Sequence, residues 1–205
     1  MSESQPEFPP TAPLDDNALN QLFRQARTAT EWAARPVERE TLVALYDLVK
    51  LGPTSGNCSP ARFVFLTADD MKERLRSALS AGNVERCLTA PVIVLVCHDP
   101  LFFEHLPRLS REDNLRNWFA ADVGLSEETA FRNGSLQGGY LLMAARALGL
   151  SVAPFSGFDA YSIEDIFLAD TGWRVNFIVG LGYADAPPRQ ERAMRLGFDE
   201  ACLVL

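Results

Sequence analysis

The segment "APVIVLVCHD" (90–99) constrains the fold more than any other stretch. Val92, Ile93, Val94 and Val96 make it the clearest strand in the chain, because β-branched side chains favour a pleated, buried surface. Shorter stretches of the same kind are "RFVFLT" (62–67), "SVAPF" (151–155) and "WRVNFIVGLGYAD" (173–185). Helical patterns lie between and before them. Leu14, Ala18, Leu19, Leu22, Phe23 and Ala26 fall at helical spacing, with Asp15 and Asp16 suited to an N-terminus. Leu42, Val43, Leu45, Tyr46, Leu48 and Val49 repeat the pattern, and Gly52-Pro53 stops it. Residues 69–80 read as an amphipathic helix, and 127–150 as a long one ended by Gly149. Gly138 and Gly139 inside that helix are costly unless another backbone packs close. Residues 99–126 show no clean period and read as a lid, a binding loop or an interface element. The order is that of a mixed α/β chain, and pattern alone does not separate α+β from a doubly wound sheet.

Charge and cysteine usage narrow the function. With 27 acidic and 19 basic residues the net charge is −8, which argues against nucleic acid or an anionic membrane surface as partner. The apolar runs are too short to span a membrane. Cys58, Cys87, Cys97 and Cys202 form no C-x-x-C pair, and His98 and His105 are the only histidines, so no metal site is expected. The chain reads as a cytoplasmic protein with free thiols. Residues 1–13, with four prolines and neither a basic start nor an apolar core, read as a disordered or draped tail rather than a signal peptide, leaving 14–205 as one domain.

No G-x-G-x-x-G, G-x-x-x-x-G-K-[ST] or G-x-S-x-G motif occurs, and no Ser/His/Asp arrangement or acid pair stands out. No side chain is assigned a catalytic role. A chain so poor in catalytic side chains points to a cofactor that carries the reaction. The loop "GPTSGNCSPAR" (52–62), rich in small polar residues, suits a site that holds one.

The motifs "ARTATEW" (26–32), "GPTSGNCSPARFVF" (52–65), "ALSAGNVERCLTAPV" (78–92), "EETAFRNGSLQGGYLLMAARALGL" (127–150), "SGFD" (156–159) and "RLGFDEA" (195–201) resemble, in order, those of the flavin-dependent nitroreductase family. Within it the chain is most similar to the malonic semialdehyde (3-hydroxypropanoate-forming) reductases of pyrimidine catabolism. The resemblance implies an α+β, three-layer fold with a central mixed, mainly antiparallel sheet flanked by helices, in an intertwined homodimer. That dimer would also account for Gly138-Gly139. It implies FMN as cofactor, NADH or NADPH as co-substrate, and a small aldehyde or nitro compound as second substrate. Nitro compounds, quinones and enones stay open as substrates, as does a flavin-binding protein with little turnover.

On this sequence the resemblance places Arg27 and Thr28 at the flavin phosphate and ribityl chain. It gives Pro53, Thr54, Ser55 and Asn57 contacts to a flavin bound mainly by the partner subunit. Asn83 hydrogen-bonds the flavin, the backbone of Ser156 and Gly157 faces its N5, and Arg195, with Arg192 as a substitute, holds the phosphate. Each has a plainer reading beside it: an exposed helix-end Arg27, a surface-paired Arg195, and turn chemistry for Thr54, Ser55, Asn57, Asn83 and Gly157. The chain departs from the family at Thr30, where a second basic residue is common, and at Ser59-Pro60-Ala61, where Gln-Pro-Trp is common. A carboxylated aldehyde needs a cation near the ring, and Arg62, Arg111, Arg116 and Arg132 are the candidates. Cys58, His98 and His105 read as structural or solvent-facing.

Overall fold

The computed structural model describes residues 12–186 and 191–205. The tail expected over 1–13 falls outside them through residue 11. The elements are α1 (Asp16–Leu19), α2 (Arg39–Val49), β1 (Ala61–Leu66), α3 (Asp69–Arg74), α4 (Val84–Leu88), β2 (Val92–His98), α5 (Leu106–Leu109), α6 (Leu115–Ala120), α7 (Val123–Ala147), β3 (Ser151–Phe155), α8 (Ala160–Ile163), β4 (Arg174–Gly182) and α9 (Phe198–Ala201). The first helical pattern is one α-turn followed by a π-helical turn, Asn20–Arg24. The long helix starts earlier than its periodicity suggests, because Asp122 caps it by accepting the Leu125 N–H at 2.9 Å.

The four strands pair antiparallel in the order β1-β2-β4-β3. The parallel component is a single bridge, Thr28 to Val152, beside β3. β2 is buried at every position. Its even-numbered valines, Val92, Val94 and Val96, pack with α2 and α7, while Ile93, Leu95 and Cys97 pack with the α3, α4 and α8 side. A strand pair with no solvent face demands cover on both sides, which gives the three layers. Pro154 sits in β3, an edge strand, where a missing N–H is tolerated. Residues 99–126 form short helices around a separate cluster of Cys58, Phe102, Phe103, Leu106, Phe119 and Ala130.

The two glycines of α7 differ. A Cβ on Gly138 would lie 2.5 Å from Cζ of Phe177 on β4, so the close neighbour is a ring of the same chain rather than another subunit. Gly139 faces open space. The shared explanation expected for the pair therefore fails for Gly138. His98, at the end of β2, is buried edge-to-face against Phe131 at 5.7 Å. Its Nδ1 has no hydrogen-bond partner among the described residues, and Glu127 is 3.9 Å from its Nε2. Burial holds its pKa below the ordinary histidine value, with Glu127 opposing.

Gly138→Ala is expected to destabilise the protein by about 1–3 kcal/mol through overpacking, and Gly139→Ala to stabilise it by up to about 1 kcal/mol through helix propensity. Denaturant unfolding of both variants checks this, and equal shifts would remove the packing account. Because the folded pKa of His98 lies below the unfolded value of about 6.5, its contribution is complete above that pH. It is lost as pH falls toward the folded value, since the unfolded chain binds the proton first. Unfolding measured between pH 7 and 5 is expected to show a stability slope for the wild type that His98→Leu reduces.

Candidate functional site

The arginines gather where the first helical segment ends. Around the end of the π-helical turn, the carbonyls of Leu22, Phe23, Arg24 and Ala26 accept from arginine side chains. Arg27 Nη1 donates to the Arg24 and Ala26 carbonyls, both at 3.0 Å. Arg146, in the last turn of α7, donates to the Leu22 carbonyl at 3.1 Å. Arg192 Nη2 donates to the carbonyls of Phe23, Arg24 and Ala26 at 2.7, 3.2 and 2.9 Å. Beyond the turn the backbone runs beside β3, where the Ala29 N–H meets the Val152 carbonyl at 3.0 Å.

These side chains border an open cavity of about 570 Å³, within the ordinary range for a small-molecule site. Five arginines line it, Arg27, Arg86, Arg146, Arg192 and Arg195, against two carboxylates, Glu31 and Glu191. Burial first, and the neighbouring Arg192 charge second, hold the Arg146 pKa below its ordinary value. Nε of Arg27 is buried and has no hydrogen-bond partner among the described residues. Among the described residues, Arg195 donates only to the Ala193 and Met194 carbonyls of its own segment, at 2.9 and 3.0 Å. Like charges assembled on carbonyl oxygens, with a buried donor left over, are the features a candidate anion site has. Thr28 and Thr30 also line the cavity.

A second group lies where β3 ends. The turn at Ser156-Gly157 packs against residues 79–83: the Ser80 N–H and Asn83 Nδ2 donate to the Gly157 carbonyl at 3.0 and 3.2 Å. A Cβ at Gly157 would fall 2.5 Å from Asn83 Nδ2, so the close approach requires glycine. The Gly157 N–H has no acceptor among the described residues. Arg86, one helical turn after Asn83, places its guanidinium 5.9 Å from the centre of the Phe155 ring and borders the arginine cavity. It joins the two groups.

The loop 52–61 is elsewhere, leading into β1 at the opposite edge of the sheet from Thr28 and β3. Gly56, Asn57 and Ser59 have φ of 56°, 54° and 40°, a region that non-glycine residues occupy only when the surroundings impose it. The surroundings do so. Asn133 Oδ1 accepts the Ser55 N–H and Gln137 Oε1 accepts the Ala61 N–H, both at 2.9 Å. Thr54 Oγ1 accepts the Ser59 N–H at 3.0 Å, and Asn57 Nδ2 donates to the Leu109 carbonyl at 2.7 Å. Arg62 donates to the Ser59 and Ala61 carbonyls at 3.0 and 2.9 Å and pairs with Asp99 at 2.7 Å, the two side chains 17% and 12% exposed. Arg62 is thus a clip for the loop. Pro53 leads into the loop, where Cys58 is fully buried and its thiol is pushed up to about 11 by burial, which makes it inert.

The structure brings Arg27, Thr28, Arg192 and Arg195 together, sets Asn83, Ser156 and Gly157 beside them, and leaves Pro53, Thr54, Ser55 and Asn57 on the far edge. Sequence reasoning missed Arg86 and Arg146. The i, i+3 spacing of Asn83 and Arg86 on one short helix was a usable signal, whereas Arg146 looks like any last-turn arginine facing a helix dipole. Among the described residues no group of three or more His, Cys, Asp or Glu side chains could hold a metal, and no helix is long and apolar enough to cross a membrane.

No protein-family model matches the sequence. A Burkholderia lata protein described as an NADH dehydrogenase/NAD(P)H nitroreductase is 51% identical over 187 residues, 91% of this chain and 96% of that protein. Solved structures share the fold at lower identity. A Staphylococcus epidermidis protein described as an NAD(P)H:FMN oxidoreductase superposes with TM-score 0.81 at 17% identity, over 97% of this chain and 100% of that one. An Exiguobacterium sibiricum protein described as a nitroreductase in complex with FMN gives 0.78 at 16% identity, over 95% and 100%. At half identity over nine-tenths of its length with the Burkholderia protein, and with the fold of these structures, the chain belongs to the nitroreductase family.

Proposed function

We propose that this protein is an FMN-dependent oxidoreductase that draws reducing equivalents from NADH or NADPH and reduces malonic semialdehyde to 3-hydroxypropanoate. The observation that carries the cofactor is the meeting of Arg27, Arg146 and Arg192 on one turn of carbonyls, with the Arg27 Nε buried and unpartnered among the described residues. That donor set fits a phosphate monoester. Bound FMN supplies two-electron transfer between the nicotinamide and the second substrate. Arg27, Arg192 and Arg195 hold its phosphate, with Thr28 beside them. Arg86 and the Gly157 N–H supply positive charge and a donor toward its ring, and Asn83 fixes the Gly157 turn. The relatives' names support both the flavin and the nicotinamide.

The active unit in this reading is a homodimer. The loop 53–57 and the arginine cavity lie on opposite edges of one sheet, so they serve a single site only when two copies contribute. Exposed apolar side chains on α2 and α7, among them Val43, Tyr46, Phe131, Leu136 and Tyr140, offer a surface for the second copy. The aldehyde's carboxylate needs a cation. Arg62 is held by Asp99, Arg116 by Glu104 and Arg132 by Glu128, while Arg111 has no ion pair among the described residues and takes that role.

Purified protein is expected to be yellow, to bleach anaerobically with NADH or NADPH, and to recover its colour with malonic semialdehyde. Bleaching without recovery would discard the aldehyde and keep the flavin. A colourless protein that takes up no added FMN would discard both. Arg27→Ala is expected to weaken FMN binding about ten- to hundredfold, from the loss of about 1.5–3 kcal/mol in charged hydrogen bonds, as read by flavin fluorescence. Arg111→Ala is expected to raise KM for the aldehyde, and an unchanged KM would clear Arg111 of the role.

A further inference from the structure

Asn57 meets two demands. Its φ of 54° lies in the left-handed region, which asparagine tolerates better than most non-glycine residues. Its side chain reaches out of the loop, where Nδ2 donates to the Leu109 carbonyl at 2.7 Å. Leu109 ends α5, a helix of four residues. The last carbonyls of a helix have no partner within it, and a helix this short depends on outside bonds. Among the described residues, this is the one hydrogen bond that joins residues 106–122 to the loop 52–61. Leu106 and Leu115 pack into the cluster around Phe102, but residues 111–114 between them are exposed. The tethered carbonyl stands between two cations, Arg108 just before it and Arg111 two residues after it. Neither has an ion pair or a hydrogen bond among the described residues. Arg108 borders a cavity of about 610 Å³ together with Asn57, Ser59 and His105, and no carboxylate among the described residues lines it. Cations with no carboxylate opposite them favour an anionic ligand.

We propose that Asn57 is a positioning residue for substrate selection. It ties the end of α5 to the loop and so fixes where Arg108 and Arg111 stand, which favours substrates bearing a carboxylate over neutral ones. This differs from the flavin contact that the resemblance implies for Asn57. The inference rests on the proposed function for the role of Arg111 toward a substrate carboxylate. The tether itself follows from the hydrogen bond to an otherwise unpaired helix end. Without it, the exposed stretch after α5 samples more positions, and its arginines lose the fixed geometry that recognition of a carboxylate needs.

The test compares the full-length wild type with Asn57→Gly and Ser59→Gly. Glycine suits the positive φ at both positions, so each variant keeps the backbone conformation. Only Asn57 loses a side-chain hydrogen bond, which makes Ser59→Gly the control for added loop freedom. Amide hydrogen exchange over residues 106–114 is read by mass spectrometry, and FMN affinity by fluorescence. KM is measured for 4-nitrobenzoate and nitrobenzene, a pair that differs by one carboxylate. Asn57→Gly is expected to speed exchange in this segment about threefold or more, and Ser59→Gly to leave it as in the wild type. In Asn57→Gly, KM for 4-nitrobenzoate is expected to rise about three- to tenfold more than KM for nitrobenzene. Unchanged exchange, or equal acceleration in both variants, would overturn the tether. An equal rise in both KM values would overturn the role in selection, because a merely loosened loop treats both compounds alike. A tenfold loss of FMN affinity without faster exchange would assign Asn57 to the flavin and overturn the proposal. Failure of the wild type to reduce malonic semialdehyde, with the 4-nitrobenzoate effect intact, would discard the aldehyde and keep the tether.

Discussion

Much of the structure depends on how closely α7 lies on the sheet. At Gly138 there is no room for a Cβ, since Phe177 and Val96 already occupy the space, and at Gly134 the side chain of His98 is 3.0 Å from where a Cβ would be. Only a helix seated this low brings the amides of Asn133 and Gln137, spaced one turn apart, against the Ser55 and Ala61 N–H groups. The same helix, about 37 Å long at 1.5 Å per residue, carries Arg146 in its last turn to the carbonyls of the first helical segment. One packing constraint therefore sets the loop at one edge of the sheet and the arginine cavity at the other.

The arginines separate into two kinds by what neutralises them. Arg62 is half-enclosed with Asp99 and two carbonyls, Arg116 meets Glu104 through two hydrogen bonds, and Arg132 meets Glu128. Such pairs are complete and have little to offer a ligand. Arg27, Arg146 and Arg192 converge on carbonyl oxygens, which orient guanidinium groups but carry no full charge to cancel theirs. A protein of net charge −8 that keeps three cations on one turn has built a local field opposite to its global one. The two kinds of arginine are thus told apart by counter-charge, not by exposure.

The strands were legible because buried β-branched runs have few other homes, and α2 because its apolar spacing and Gly52-Pro53 stop agree. The π-helical turn at Asn20–Arg24 was not, since nothing in its composition distinguishes it from an ordinary helix end, yet its Leu22 and Phe23 carbonyls receive Arg146 and Arg192. The meeting of Arg27 and Arg192 at one cavity is beyond local pattern, which has no means of joining residues so far apart. Arg146 escaped for the opposite reason: its local pattern already had a sufficient explanation in the helix dipole. Gly138 was expected to meet another backbone, and what it meets is the side chain of its own Phe177, a distinction that a sequence does not carry.

The polar residues of the loop 52–61 are spent on holding its own backbone. Thr54 Oγ1, Asn57 Nδ2 and the Ser55 N–H all have partners inside the chain, as does the Arg62 guanidinium behind them. Those bonds hold Gly56, Asn57 and Ser59 in left-handed conformations that an unsupported loop would leave. Their effect is on the main chain, whose groups are turned outward in directions that regular strand or helix geometry does not provide. A composition of small polar residues marks a loop equally for direct contact and for this scaffold role, so the sequence left the division of labour open. The geometry assigns these side chains to shaping the loop.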